Sequence, residues 1–223
     1  MRTRVKICCM ASPAEAATAI AAGADAVGLV GFMPTGAGVI DDATAAAIAA
    51  AVPPPTDARL LTFEDTAEGI AGHAARCGTR TVQIVRHVAP SVHEDLVRIA
   101  PALRRVQVVH IEDERSLALI GVYAGLAHAF LIDSGRPSAS EFGGTGRVHD
   151  WRLSAKFVRG STVPVFLAGG LTPDNAAEAV RTVRPFGLDV CSGLRPDGRR
   201  LDAGRLETFL AAVRAADQEL RGP

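Results

Sequence analysis

The chain has 223 residues, and its 24 lysines and arginines are balanced by 24 aspartates and glutamates, so the formal net charge is zero. That balance offers no basic field to hold nucleic acid or an anionic membrane surface, and neither partner is expected. The length suits one domain spanning 1–223, enough to bury about 70–75% of the surface an unfolded chain exposes.

The opening MRTRVKICCM carries positive charges, but Lys6 interrupts its apolar run before the roughly 7 residues a signal peptide needs. The apolar stretch Ala45 to Val52 ends at Pro53, short of the roughly 20 residues of a membrane-spanning helix. A soluble, cytoplasmic protein is expected. Cys8, Cys9, Cys77 and Cys191 show no C-x-x-C spacing, which argues against a disulfide framework or zinc cluster and for free thiols in a reducing compartment.

Short runs rich in valine, isoleucine and leucine alternate with longer segments of helical period from one end to the other. Strands are predicted at Val5 to Cys8, Ala26 to Val30, Arg59 to Thr62, Thr81 to Val85, Val106 to Ile111, Ala129 to Asp133, Val163 to Ala168 and Gly187 to Val190. Helices are predicted to begin near Pro13, Asp42, Thr66, Val92, Asp113, Asp150, Asn175 and Ala203. Ser12-Pro13-Ala14-Glu15 places a capping serine before a first-turn proline, and Thr172-Pro173-Asp174 repeats the device. This alternation fits a single (β/α)8 TIM barrel; an open doubly wound sheet is the main alternative.

Side chains alternate along a barrel strand between the helices and the axis. Val5 and Ile7 suit the helix side, leaving Lys6 and Cys8 inward. By the same alternation Asp133 ends strand six inside, and Leu188 and Val190 leave Asp189 inside. A thiol and two carboxylates therefore converge on one mouth. An uncompensated carboxylate at the end of an apolar strand is costly to bury, so Asp133 is more often functional, or capping the following loop, than incidental. Gly143-Gly144-Thr145-Gly146 follows strand six, Gly169-Gly170 strand seven and Ser192-Gly193 strand eight. Glycines there let backbone N–H groups close around a phosphate at the usual barrel site.

These segments resemble phosphoribosylanthranilate isomerase over nearly the whole chain: Lys6-Ile7-Cys8, Leu131-Ile132-Asp133-Ser134, Gly143-Gly144-Thr145-Gly146 with Asp150-Trp151, Leu167-Ala168-Gly169-Gly170-Leu171, and Gly187 to Gly193. The resemblance implies an Amadori rearrangement that needs no metal or organic cofactor. Asp133 would be its general acid and Cys8 its general base. Gly143, Gly144, Thr145, Gly169, Gly170, Asp189, Ser192 and Gly193 would hold a small sugar-phosphate substrate. Inward Lys6 could lower the Cys8 thiol, and an apolar strand end would raise Asp133. A monomer or homodimer is expected.

The chain departs from the family pattern at three places. Cys9 follows Cys8 where the family usually has glycine, and Gly38 stands where it usually has an arginine that would hold the anthranilate carboxylate. After strand four, Val82 to His87 keeps the glutamine but not the residues that usually follow. Arg86, just past that strand, is the candidate cation in place of the missing arginine. The alternatives are a related barrel isomerase or epimerase acting on a different sugar phosphate, and a non-catalytic barrel that binds a phosphorylated ligand.

Overall fold

The computed structural model describes residues 2–34, 38–135 and 150–222. Eight parallel strands pair in chain order and close into a barrel. They are β1 (Arg4–Ile7), β2 (Ala26–Val30), β3 (Asp57–Thr62), β4 (Thr81–Ile84), β5 (Arg104–His110), β6 (Ala129–Asp133), β7 (Val165–Leu167) and β8 (Gly187–Val190). The helices between and after them are α1 (Pro13–Ala22), α2 (Asp42–Ala51), α3 (Ala67–Arg76), α4 (Pro90–Ile99), α5 (Leu119–Val122), α6 (Trp151–Gly160), α7 (Ala176–Val183) and α8 (Ala203–Arg221).

Alternation along each strand sorts the apolar side chains into two layers. Val5, Ile7, Leu60, Val82, Ile84, Ile132 and Leu188 lie in the larger one, between sheet and helices. Val30, Leu61, Val106, Val108, Leu131 and Phe166 fill the barrel interior together with Cys8 and Cys9. The predicted inward register of Lys6, Cys8, Asp133 and Asp189 is the one observed, with Lys6 directly opposite Asp189 across the β1–β8 seam.

Most predicted helix starts hold. Ser12 Oγ accepts from Glu15 N at 3.2 Å, and Thr66, Asp150 and Asp202 cap α3, α6 and α8. Two expectations are corrected. The helix expected at Asp113 is a 3-10 segment, Glu114–Ala118, followed by the single turn of α5; Gly121 and Gly125 near its end disfavour a longer helix. Thr172 does not cap α7. Asn175 opens that helix, its Oδ1 accepting from Thr172 N at 2.8 Å and its Nδ2 donating to Gly170 O at 2.9 Å. That polar side chain bonds to the turn before the helix, which runs from Ala176, next to the expected start at Asn175.

Candidate active site

The C-terminal ends of the strands carry the site. Lys6 is fully buried and its Nζ donates to Asp189 Oδ2 at 2.7 Å and to Cys8 Sγ at 3.2 Å. Burial alone would lower the Lys6 ammonium, but the Asp189 and Cys8 charges overturn that and hold it above its ordinary value. Gly28, opposite on β2, leaves the space this group fills: a Cβ there would stand 2.6 Å from Cys8 Sγ and 2.8 Å from Lys6 Nζ.

The Cys8 thiol is lowered from its ordinary value, first by a hydrogen bond from Cys9 and, against the opposing effect of burial, by the Lys6 charge. The shift expected from Lys6 is therefore present but secondary. Cys9 itself, hydrogen-bonded to Cys191 and to Cys8 and buried, is held well above the ordinary thiol range. Three thiols thus form a short chain in which the neutral member donates toward the one that ionises.

Asp133 ends β6 across the mouth. Burial pushes its carboxyl up to about 6, although Ser134 N donates to its Oδ1 at 2.7 Å and opposes the rise; the Asp189 charge adds to it. A thiol shifted down and a carboxyl shifted up in one electrostatic field are chemically able to serve as base and acid.

The N-(5'phosphoribosyl)anthranilate (PRA) isomerase family model matches residues 5–211. The chain belongs to that family. A curated N-(5'-phosphoribosyl)anthranilate isomerase from Haloferax volcanii is 37% identical over 215 residues, covering 96% of this chain and 94% of the relative. The crystal structure of phosphoribosyl anthranilate isomerase from Thermotoga maritima superposes with a TM-score of 0.83 at 26% identity, covering 96% of this chain and 99% of that one. A phosphoribosyl anthranilate isomerase solved in complex with reduced 1-(o-carboxyphenylamino)-1-deoxyribulose 5-phosphate superposes at 0.79 with 25% identity, covering the same shares of both chains.

Within the phosphoribosylanthranilate isomerase framework, two departures of this chain turn out to be one. Cys9 takes φ 64°, the left-handed conformation for which glycine is the usual residue. Gly38, at φ 80°, packs on it so closely that a Cβ there would lie 2.5 Å from Cys9 Cβ. The side chain gained at position 9 occupies the space where one at position 38 would start. Restoring an arginine at Gly38 therefore requires removing the Cys9 side chain as well.

The loops after β7 and β8 meet as predicted. Gly169 and Gly170 have φ 87° and 64°, and Ser192 opens a 3-10 turn with Gly193, where a Cβ would come within 1.9 Å of Leu171 O. Gly143, Gly144 and Thr145 lie outside the described residues. Arg86 sits on the rim past β4, its backbone carbonyl accepting from Gln107 Nε2 at 2.8 Å. Its guanidinium pairs with Asp65 at 2.8 Å and lies 5.0 Å from the Phe63 ring centroid, so it leans toward the β3 loop.

Several site residues were not singled out from the sequence. His110, at the end of β5 opposite Asp133 in register, is 2% exposed and its Nε2 donates to Val85 O at 3.3 Å. Burial lowers its imidazole to about 4, so it is neutral at pH 7. Period-two alternation along β5 could have found it, since Val106, Val108 and His110 share one face. Away from the mouth, Asp42, His73 and Cys77 place ligand-type atoms within 4.8 Å of one another, but Asp42 already pairs with Arg76 at 2.6 Å.

Proposed function

We propose that Cys8 and Asp133 carry out the Amadori rearrangement of N-(5'-phosphoribosyl)anthranilate to 1-(2-carboxyphenylamino)-1-deoxyribulose 5-phosphate. Asp133 gives its proton to the furanose ring oxygen as the bond from that oxygen to C1' breaks, leaving an iminium ion. The Cys8 thiolate then takes the proton from C2', and the electron pair of that C–H bond neutralises the iminium to an enolamine. Tautomerisation to the ketone completes an isomerisation with no net oxidation and no co-reactant. The observation that carries this reading is the opposed displacement of the two groups, the thiol lowered and the carboxyl raised to about 6.

The backbone groups of Gly169, Gly170, Ser192 and Gly193, with Gly143, Gly144 and Thr145, bind the phosphate. Asp189, fixed by Lys6, accepts from a sugar hydroxyl. Arg86 meets the anthranilate carboxylate by swinging from Asp65, a short move for an exposed pair.

The test is an isomerisation assay on freshly made phosphoribosylanthranilate, followed by loss of substrate fluorescence, with wild type, Cys8→Ala and Asp133→Asn. Each substitution is expected to lower kcat by about 10²–10⁴-fold with KM little changed. The wild-type profile should fall on the acid side as Cys8 is protonated and on the alkaline side as Asp133 ionises above about 6. Full activity in Cys8→Ala with loss in Cys9→Ala would move the base to the neighbouring thiol.

A further inference from the structure

The strongest polar cluster that these proton transfers do not use lies behind the first loop. Arg195, in the loop after β8, has a side chain only 4% exposed. Its Nη2 donates to Cys8 O at 3.2 Å and to Cys9 O at 2.7 Å; its Nη1 donates to Glu15 Oε1 at 2.6 Å and to Arg199 O at 2.8 Å. Glu15 also accepts from Ala11 N at 2.7 Å and Leu201 N at 3.0 Å. One ion pair, its arginine buried and its glutamate half-buried, therefore joins the β1–α1 loop, the loop after β8 and the approach to α8.

The peptide groups it touches are the ones on either side of Cys9. The donor of the second peptide, Met10 N, goes to Gly28 O at 3.0 Å, and Cys8 N, one peptide earlier, goes to Val190 O at 2.9 Å. A non-glycine residue at φ 64° costs about 1 kcal/mol or more and persists where its surroundings over-determine it. With both flanking planes held, the Cys9 side chain has its direction dictated, toward Cys8 and Cys191.

We infer that Arg195, braced by Glu15, is a positioning residue that fixes the backbone of Cys8 and Cys9 and thereby sets the contact between their thiols. The inference deepens the assignment of Cys8 as base and rests on it for its effect on turnover. Arginine suits the task because its planar fork reaches three carbonyls and a carboxylate at once, which a lysine ammonium on a flexible stem does not match. The signal in the sequence is weak, because 187 residues separate Arg195 from Cys8.

The experiment uses full-length Arg195→Met, Arg195→Lys and Glu15→Gln proteins, with folding checked by circular dichroism. Two quantities are read: the pH midpoint for alkylation of Cys8 by iodoacetamide, followed by peptide mass, and kcat against KM. Arg195→Met should move the alkylation midpoint to higher pH and lower kcat by about tenfold, with KM within about twofold. Arg195→Lys should fall between it and wild type. A folded Arg195→Met, or Arg195→Lys if the former does not fold, with the wild-type midpoint and kcat would overturn the inference. Because alkylation does not depend on turnover, a catalytically dispensable Cys8 would sink the base assignment while leaving the positioning claim separately judged.

Discussion

The two sides of the barrel mouth are built from different electrostatics. On the β8–β1 side, a buried lysine, a buried carboxylate and an ionisable thiol share one cluster, with Lys6 Nζ 2.7 Å from Asp189 and 3.2 Å from Cys8. On the β4–β5 side, the inward polar groups are neutral: the Gln83 amide, 3% exposed, and the His110 imidazole, lowered to about 4 by burial. Arg86, just past β4, stays on the rim with Asp65. A buried ion pair is weak evidence for stability because desolvation offsets much of its attraction. Its concentration on one side therefore marks where charge is used, and the neutral side marks where shape decides.

That contrast is open to attack by substitution. Lys6→Met should be the most damaging change, costing about 3–5 kcal/mol of stability because it leaves Asp189 charged, buried and unpaired. Adding Asp189→Asn should recover part of that loss in chemical denaturation. Gln83→Leu, on the neutral side, should cost no more than about 1 kcal/mol. Similar losses for Lys6→Met and Gln83→Leu would erase the distinction.

A smaller effect of opposite sign is expected at Asp133. Its carboxyl titrates at about 6 in the fold, against about 3.9 when unperturbed. The folded state thus favours the protonated acid, and this contribution is full below about pH 4 and lost as pH rises through 6. At pH 7 the wild type carries the cost of an ionised carboxylate in a partly buried site. Asp133→Asn removes it, and should raise stability by about 1–2 kcal/mol at pH 7 while lowering kcat by about 10²–10⁴-fold. The gain should vanish near pH 4. Equal stability of the two proteins at both pH values would refute the cause assigned to the shift.

The smallest effect concerns the rim. Arg86→Ala should raise KM for phosphoribosylanthranilate about 3- to 10-fold, the value of one exposed charged contact, and leave the inhibition constant of inorganic phosphate unchanged. An unaltered KM would remove Arg86 from the carboxylate subsite.

Much of this was legible in the sequence because it depends on local rules. Strand period placed Lys6, Cys8, Asp133 and Asp189 inside, the Ser12-Pro13 device marked the start of α1, and helical period placed starts near Thr66 and Asp150. The rest depends on contacts between distant residues. Nothing near Gly38 shows that Cys9 fills the space above it, and nothing near Glu15 points to Arg195. The short α5 was missed because a 3-10 segment and nearby glycines outweighed the pattern of apolar residues, and Asn175 rather than Thr172 opens α7 because its side chain bonds to Thr172 N and Gly170 O.

The barrel closes between its first and last strands, and the Lys6–Asp189 pair lies on that seam. As the chain leaves the ribosome, β1 therefore waits for some 180 further residues before its partner strand exists. During that interval β1 is an open edge, and the inward-pointing lysine makes it a poor template for other strands. The buried lysine thus also guards the open edge of the growing chain, and the Lys6–Asp189 pair is complete only once the last strand is made.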